Sequence, residues 1–302
     1  MVNARPESDP KLLARLSRLE LRARTAVEGL AGGRHASRIK GAGLNFSEHR
    51  PYVPGDDIRR LDWKIAARTD RHVVRVHEEE SSLTGWLLVD TSASMGFGST
   101  GWSKLDYATW TAASIARLLA MQNDQTGLLL SNGEDSLWLP ARAGRTGWPA
   151  LVRALEAAEP NGGGEPALIG ESAVGRLGRR ALVVWLTDGL GDPARIVRAA
   201  SRLREEGHDV IVLRILDPVE INLDWETPSR FVGLEGEGIL KVDPNAIRTA
   251  YIQTFEEHAQ LLRRGLRELN VEFLRMPTDH HLEPALAKFL TKRAARLRKS
   301  GR

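Results

Sequence analysis

The apolar residues of this chain fall into short continuous runs separated by longer stretches with helical spacing. From Trp86 onward the runs are "WLLVD" (86–90), "GLLLS" (127–131), "ALVVWLTD" (181–188) and "DVIVLRILD" (209–217), with "VEFLRM" (271–276) closing the series. Runs without alternation predict strands buried on both faces, as in a parallel sheet covered by helices. "SLWLP" (136–140) follows the turn pair Asn132-Gly133 and predicts an added hairpin strand. Helices are expected between the strands. Ser103 with Asp106 forms a capping-box pattern ahead of Leu105, Ala108, Ala112, Ile115 and Leu119. Asp192-Pro193 and Asp243-Pro244 repeat one start signal, an N-cap followed by proline, and Gly207 stands just past the end of the first of these helices. The second carries Ile247, Tyr251, Phe255, Leu262, Leu266 and Leu269. Alternating strands and helices predict an open doubly wound α/β sheet.

The part before Trp86 reads differently. Residues 9–30 have partly helical spacing, 31–71 are rich in Gly, Pro, Arg and Asp, and "HVVRVHEEE" (72–80) alternates as a strand would. This divides the chain into an N-terminal helix and charged segment, 1–80, and an α/β domain, 81–302.

Composition narrows the chemistry. The 302 residues include no cysteine, which excludes disulfides and thiolate chemistry and fits a reducing cytoplasm. No apolar run is long enough for a transmembrane helix, and the N-terminus has no apolar signal core. The net charge is only +4, so no nucleic-acid partner is expected. The last fifteen residues do concentrate Lys288, Lys292, Arg293, Arg296, Arg298, Lys299 and Arg302. They form either a solvated helix end or a contact with anionic lipid or nucleic acid, and nothing else in the sequence supports the second.

The first strand ends in Asp90, Ser92 and Ser94, and a later one ends in Asp188. In doubly wound sheets ligands sit beyond the carboxyl ends of the strands, so these oxygens can converge. Carboxylates and hydroxyls suit Mg²⁺, Ca²⁺ or Mn²⁺ rather than zinc or copper. "Ser92-Ala93-Ser94-Met95-Gly96" also approaches the G-x-S-x-G elbow of serine hydrolases, with Ser94 as nucleophile and His208 or His280 as base. Serine replaces its first glycine, and His208 precedes a strand, at the end away from Asp90. Phosphoryl transfer on Asp90 lacks the usual second carboxylate, because position 92 is serine. An ordinary polar turn is the remaining alternative.

Asp90, Ser92 and Ser94 after an apolar strand, with "TDG" on a later one, resemble the metal-ion-dependent adhesion site of von Willebrand factor A domains. "FSEHRPYVPGDDIRRLDWKIAARTDRHVVRVHEEE" (46–80), with Arg50, Tyr52, Gly55, Asp56, Asp57, Arg59, Asp62, Trp63 and Arg68, resembles the bacterial family called domain of unknown function 58. The likeness runs through "LDPVE" (216–220) to "LAKFLTKR" (286–293). It implies a von Willebrand factor A-like doubly wound, mostly parallel sheet with helices on both faces, preceded by a helical and extended segment. It also implies a relation to MoxR-type AAA+ ATPases, and the set of Asp90, Ser92, Ser94 and Asp188 without a convincing base makes a non-enzymatic interaction module the leading expectation. Asp90, Ser92, Ser94 and Asp188 would then be metal-site residues for a divalent cation, Mg²⁺ first and Ca²⁺ or Mn²⁺ otherwise. The second loop of such sites supplies a threonine. The matching stretch "NGGGEPALIG" (161–170) has none, and Glu165 stands about where it should be, either as a further metal ligand that favours Ca²⁺ or Mn²⁺, or as a group that closes the site, or in a degenerate site that binds no metal.

For 46–80 the expectations are a turn at Pro54-Gly55, a short helix from Asp56 through Lys64, and an ion-pair network anchored by Trp63. The segment is a candidate partner surface, and a metal-free adaptor binding through it is the third functional alternative. "LEGEG" (234–238) is expected as a hairpin tip with solvated acids.

Overall fold

The computed structural model describes residues 83–282 except 179 and 237, together with 48–52, 65, 68, 73–76 and 287. The helix expected over 9–30, the basic C-terminal end, and Gly55, Asp56, Asp57, Arg59, Asp62 and Trp63 lie outside the described residues. From the signature segment, β1 (Glu48–Pro51) pairs antiparallel with β2 (Val73–Val76), so the strand expected near 72–80 is present. Tyr52 is half-buried and Arg68 exposed.

Six strands build the main sheet: β3 (Thr84–Asp90), β4 (Gln125–Ser131), β5 (Ser136–Ala143), β6 (Leu182–Thr187), β7 (Asp209–Leu216) and β10 (Glu272–Pro277). Their order is β10-β7-β6-β3-β4-β5, and only β5, on the edge, runs antiparallel. This is the expected von Willebrand factor A-like doubly wound sheet. The chain leaves β3 toward β4 on one side and later returns to β6 on the other. The crevice where a doubly wound sheet binds its ligand therefore lies beyond the ends of β3 and β6.

Strand side chains alternate between two cores, as period two requires. Leu87, Val89, Leu128, Leu130, Val184 and Leu213 face α1 (Lys104–Met121) and α2 (Gly144–Glu156). Trp86, Leu88, Leu129, Trp185 and Val212 face α3 (Pro166–Ala173), α4 (Pro193–Glu205) and the long α6 (Pro244–Glu268). A short α5 (Pro218–Asn222) follows β7. Both sheet faces are thus covered, which is why the central strands are apolar apart from their ends and Arg214. None of the helices among the described residues is long and apolar enough to cross a membrane.

The start signals act as their chemistry dictates. Ser103 and Asp106 form the capping box of α1, and the Asp192 and Asp243 side chains cap α4 and α6. Gly207, just past α4, takes a φ of +85°. On α6, Ile247 departs from expectation: it is exposed, and the helix is anchored by Ala259, Leu262 and Leu266. The antiparallel hairpin of β8 (Ser229–Val232) and β9 (Ile239–Val242) precedes it.

Candidate functional site

Asp90 is the last residue of β3 and Asp188 follows β6, so the two carboxylates flank the crevice at the switch in strand order. Each is 1% exposed. One oxygen of Asp90 accepts the Ser92 N–H at 2.9 Å, and the other accepts the Thr187 hydroxyl at 2.6 Å. Ser92 precedes and Ser94 lies within a 3₁₀ turn (Ala93–Gly96), and their hydroxyl oxygens lie 3.0 Å apart. Asp188 Oδ1 accepts the Leu190 N–H at 3.2 Å, and the Ser94 side chain also hydrogen-bonds to this carboxylate.

The loop carrying the serines is clasped from the side by residues 161–164. Ala93 N–H donates to Gly162 O and Asn161 N–H to Thr91 O, both at 2.9 Å. Gly164 lies so close to Asn132 that a Cβ there would stand 1.6 Å from the Asn132 carbonyl oxygen, and only glycine fits. This is why the glycine run is present.

A cation already resides beside the cluster. Lys104, first residue of α1, is fully buried, and its ammonium donates to Asp188 Oδ2 at 2.9 Å and to Glu220 Oε1 at 2.6 Å. Burial alone would lower the Lys104 pKa, but the Asp188 and Glu220 carboxylates outweigh it and hold the group above its ordinary value. The same pairing draws Asp188 below the usual carboxylate range against the opposite pull of burial. Glu220 stays above that range because its burial exceeds what Lys104 returns. Among the described residues Asp90 has no such cation. Burial, and then the neighbouring Asp188 charge, push it up to about 7, although the bonds from Thr187 and Ser92 oppose the shift.

A second layer fixes these groups. Arg214, fully buried on β7, donates from Nε to the Asp188 carbonyl oxygen at 2.8 Å and stacks 4.9 Å over the Phe255 ring. Tyr251 donates to the Glu220 carbonyl oxygen at 2.6 Å. Asp217 accepts from the Ser99 amide at 2.7 Å and hydroxyl at 2.5 Å, tying down the loop after the 3₁₀ turn.

Of the residues expected in the site, Asp90, Ser92, Ser94 and Asp188 are brought together. Glu165 serves another element. Its Oε1 accepts the Asp192 N–H at 3.0 Å and its Oε2 lies 3.8 Å from Arg195, so it steadies the start of α4. Among the described residues no three His, Cys, Asp or Glu side chains converge as a metal shell, so a cation here would rely on hydroxyls. The candidate bases for Ser94 are placed elsewhere. His208 Nδ1 accepts the Ala181 N–H at 3.0 Å, at the opposite end of the sheet, and His280 is exposed just past the edge strand β10.

Sequence reasoning missed Lys104, Thr187 and Glu220. Lys104 did carry a signal, since it stands four residues before Ala108 on the apolar face of α1. Glu220 carried one too, as the fourth residue of the Asp217-Pro218-Val219-Glu220 capping box.

Comparison with known proteins gives this geometry a family. An uncharacterized protein of Mycobacterium tuberculosis is 31% identical over 292 residues, covering 94% of this chain and 90% of the relative. An uncharacterized protein of Mycobacterium bovis matches with the same identity and coverage. The crystal structure of the conserved hypothetical protein BatB from Bacteroides thetaiotaomicron aligns over 71% of this chain and 100% of its own, with a TM-score of 0.50 at 19% identity, a likeness of fold. The family model described as "Protein of unknown function DUF58" matches residues 48–261, and the chain belongs to that family.

Proposed function

We propose that this protein is a non-enzymatic interaction module whose strand-end cluster binds a divalent cation, Mg²⁺ first, and through it a carboxylate on a partner protein. The observation that carries the reading is the buried Asp90 carboxylate, with no cation of its own among the described residues, beside two hydroxyls 3.0 Å apart. Neighbouring oxygens of an octahedral shell with bonds of ~2.1 Å are ~3.0 Å apart, so Ser92 and Ser94 suit adjacent positions of a magnesium-sized ion. Asp90, Ser92 and Ser94 are the residues that would hold it. Asp188 is held by Lys104 and supports the site through Ser94. The cation would supply an open coordination position for a carboxylate and would offset the buried charge of Asp90. Lys104 keeps Asp188 ionised and in place, and Thr187 and the Ser92 amide orient Asp90.

The partner we propose is a MoxR-type AAA+ ATPase, a choice that rests on the family resemblance of the sequence. The reading is also supported by the bonding of Ser94 to Ser92 and Asp188, with His208 at the far end of the sheet, an arrangement unsuited to a nucleophile.

The test is co-sedimentation of the purified protein with a purified MoxR-type ATPase, in Mg²⁺ and in chelator, for wild type and Asp90→Ala. The expected result is a complex in Mg²⁺ that chelator and Asp90→Ala both abolish. A complex identical in every arm overturns metal-mediated recognition and moves the contact to another surface, such as 46–80. Absence of any complex removes the ATPase.

A further inference from the structure

The hairpin of β8 and β9 does not hold its tip in solvent as the sequence suggests. Glu235 is half-buried, and its Oε1 accepts the backbone N–H of Ser94 at 3.1 Å, across 141 residues of sequence. The tip also rests on the glycine run. A Cβ on Gly163 would stand 3.3 Å from Glu235 Cβ and 3.4 Å from its carbonyl oxygen. A second contact joins the hairpin to the same loop. The Phe97 ring lies 6.3 Å from Trp225, which meets Phe231 of β8 edge-on at 5.0 Å. The hairpin therefore touches the loop of Ser92 and Ser94 at its carboxylate tip and at its aromatic base.

Neither strand contains a buried residue, and Val232, Leu234, Ile239 and Leu240 are all more than half exposed. Gly236 and Gly238 take φ values near +90°, so the tip is built from residues that re-fold at small cost. Such an element opens locally at low free energy.

The group at the tip is the informative feature. A carboxylate meets the Ser94 amide beside the two serine hydroxyls, next to the position where the reading above puts the carboxylate of a partner. We propose that Glu235 is a built-in occupant of the ligand position: the 233–238 tip closes the cluster, and an acidic side chain of a partner binds by displacing it. The proposal rests on the carboxylate-capture reading above and identifies where that carboxylate sits. It gives Ser94 two roles, with its amide facing the ligand and its hydroxyl facing the cluster. Partner affinity is then reduced by the closed fraction of the molecule, and loss of Glu235 removes that reduction.

The full chain tests this as wild type, Glu235→Ala and Glu235→Gln. Hydrogen exchange without metal is followed over 92–97 and 229–242, and binding of a fluorescein-labelled peptide with one central glutamate is measured in Mg²⁺. Its glutamine counterpart is the control. Glu235→Ala is expected to speed exchange in both segments and to bind the glutamate peptide about tenfold tighter than wild type. Glu235→Gln retains an acceptor for the Ser94 amide, so both its exchange and its peptide affinity stay nearer wild type than those of Glu235→Ala. Unchanged exchange in Glu235→Ala, or equal peptide affinity in all three proteins, overturns the proposal with carboxylate capture intact. Faster exchange without peptide binding to any protein overturns carboxylate capture itself and the displacement with it.

Discussion

The ammonium of Lys104 lies 2.9 Å from Asp188 Oδ2 with both side chains buried, at the point where the sheet switches direction. Its second partner, Glu220, is 2.6 Å away and 16% exposed. Removing one member of a buried pair leaves the other as an uncompensated charge, at a cost of roughly 3–5 kcal/mol. Lys104→Met is expected to destabilise the protein by about that amount in urea denaturation. Lys104→Met combined with Asp188→Asn is expected to recover a substantial part of it, because the stranded charge is gone. A double variant no more stable than Lys104→Met alone would show that the pair is not the dominant interaction of Lys104.

Asp90 gives a pH dependence of definite sign. Its carboxyl titrates near 3.8 in the unfolded chain and at about 7 in the fold, mainly through burial and then through Asp188. Below both values it is protonated in both states and contributes nothing. Between them the native state keeps a proton that the unfolded chain has released, so stability falls as pH rises, by up to about 4 kcal/mol at ~1.4 kcal/mol per pKa unit. Above about 7 the full penalty remains. Asp90→Asn removes this component. In chelator the variant is expected to be more stable than wild type at pH 8 and to differ less at pH 4, as read from denaturant midpoints. Mg²⁺ is expected to raise the wild-type midpoint and leave that of Asp90→Asn unchanged.

The contrast between Asp90 and Glu165 shows what a single sequence conveys about such a site. Asp90 and Asp188 were legible because each ends a run of buried apolar residues, and a doubly wound sheet dictates where those ends lie. The strands, their order class and the capping of α1, α4 and α6 were legible for the same reason: each depends on local periodicity or on a start signal within four residues. Glu165 was placed by position along a loop, and a loop's path is set by packing. Here Gly164 against Asn132 sends the chain into α3, and the Glu165 side chain turns to Asp192. Lys104, Glu220 and Glu235 come from three separate elements. Their convergence is a product of tertiary structure, and no local pattern encodes it.

Two glycines of different character separate steric from conformational demands. At Gly164 an added Cβ would stand 1.6 Å from a backbone oxygen, which no rotamer can relieve. Gly164→Ala is expected to cost about 3 kcal/mol or more by shifting the clasp on the serine loop. Gly175 has a φ of +75° and open space around its Cβ position, so Gly175→Ala carries only the backbone penalty, about 1 kcal/mol. Equal losses in thermal unfolding would mean that the 161–164 loop moves aside freely.

Glu165 provides the sharpest separation of the cluster from its surroundings. Its bond to the Asp192 amide is exposed, and its ion pair with Arg195 spans 3.8 Å between side chains 24% and 36% exposed. Pairs of that kind contribute about 0–1 kcal/mol. Glu165→Ala is therefore expected to lower stability by no more than about 1 kcal/mol, through a weakened start of α4. Affinity for Mn²⁺, followed by the loss of the free-ion electron paramagnetic resonance signal, is expected to stay within about twofold of wild type, because Glu165 is bonded away from Asp90. Ser92→Ala and Ser94→Ala are each expected to weaken Mn²⁺ binding more than tenfold in the same assay, as loss of a direct hydroxyl ligand requires. A large loss in Glu165→Ala would instead assign it to the metal's shell, and the 161–170 loop would have to rearrange when the cation binds.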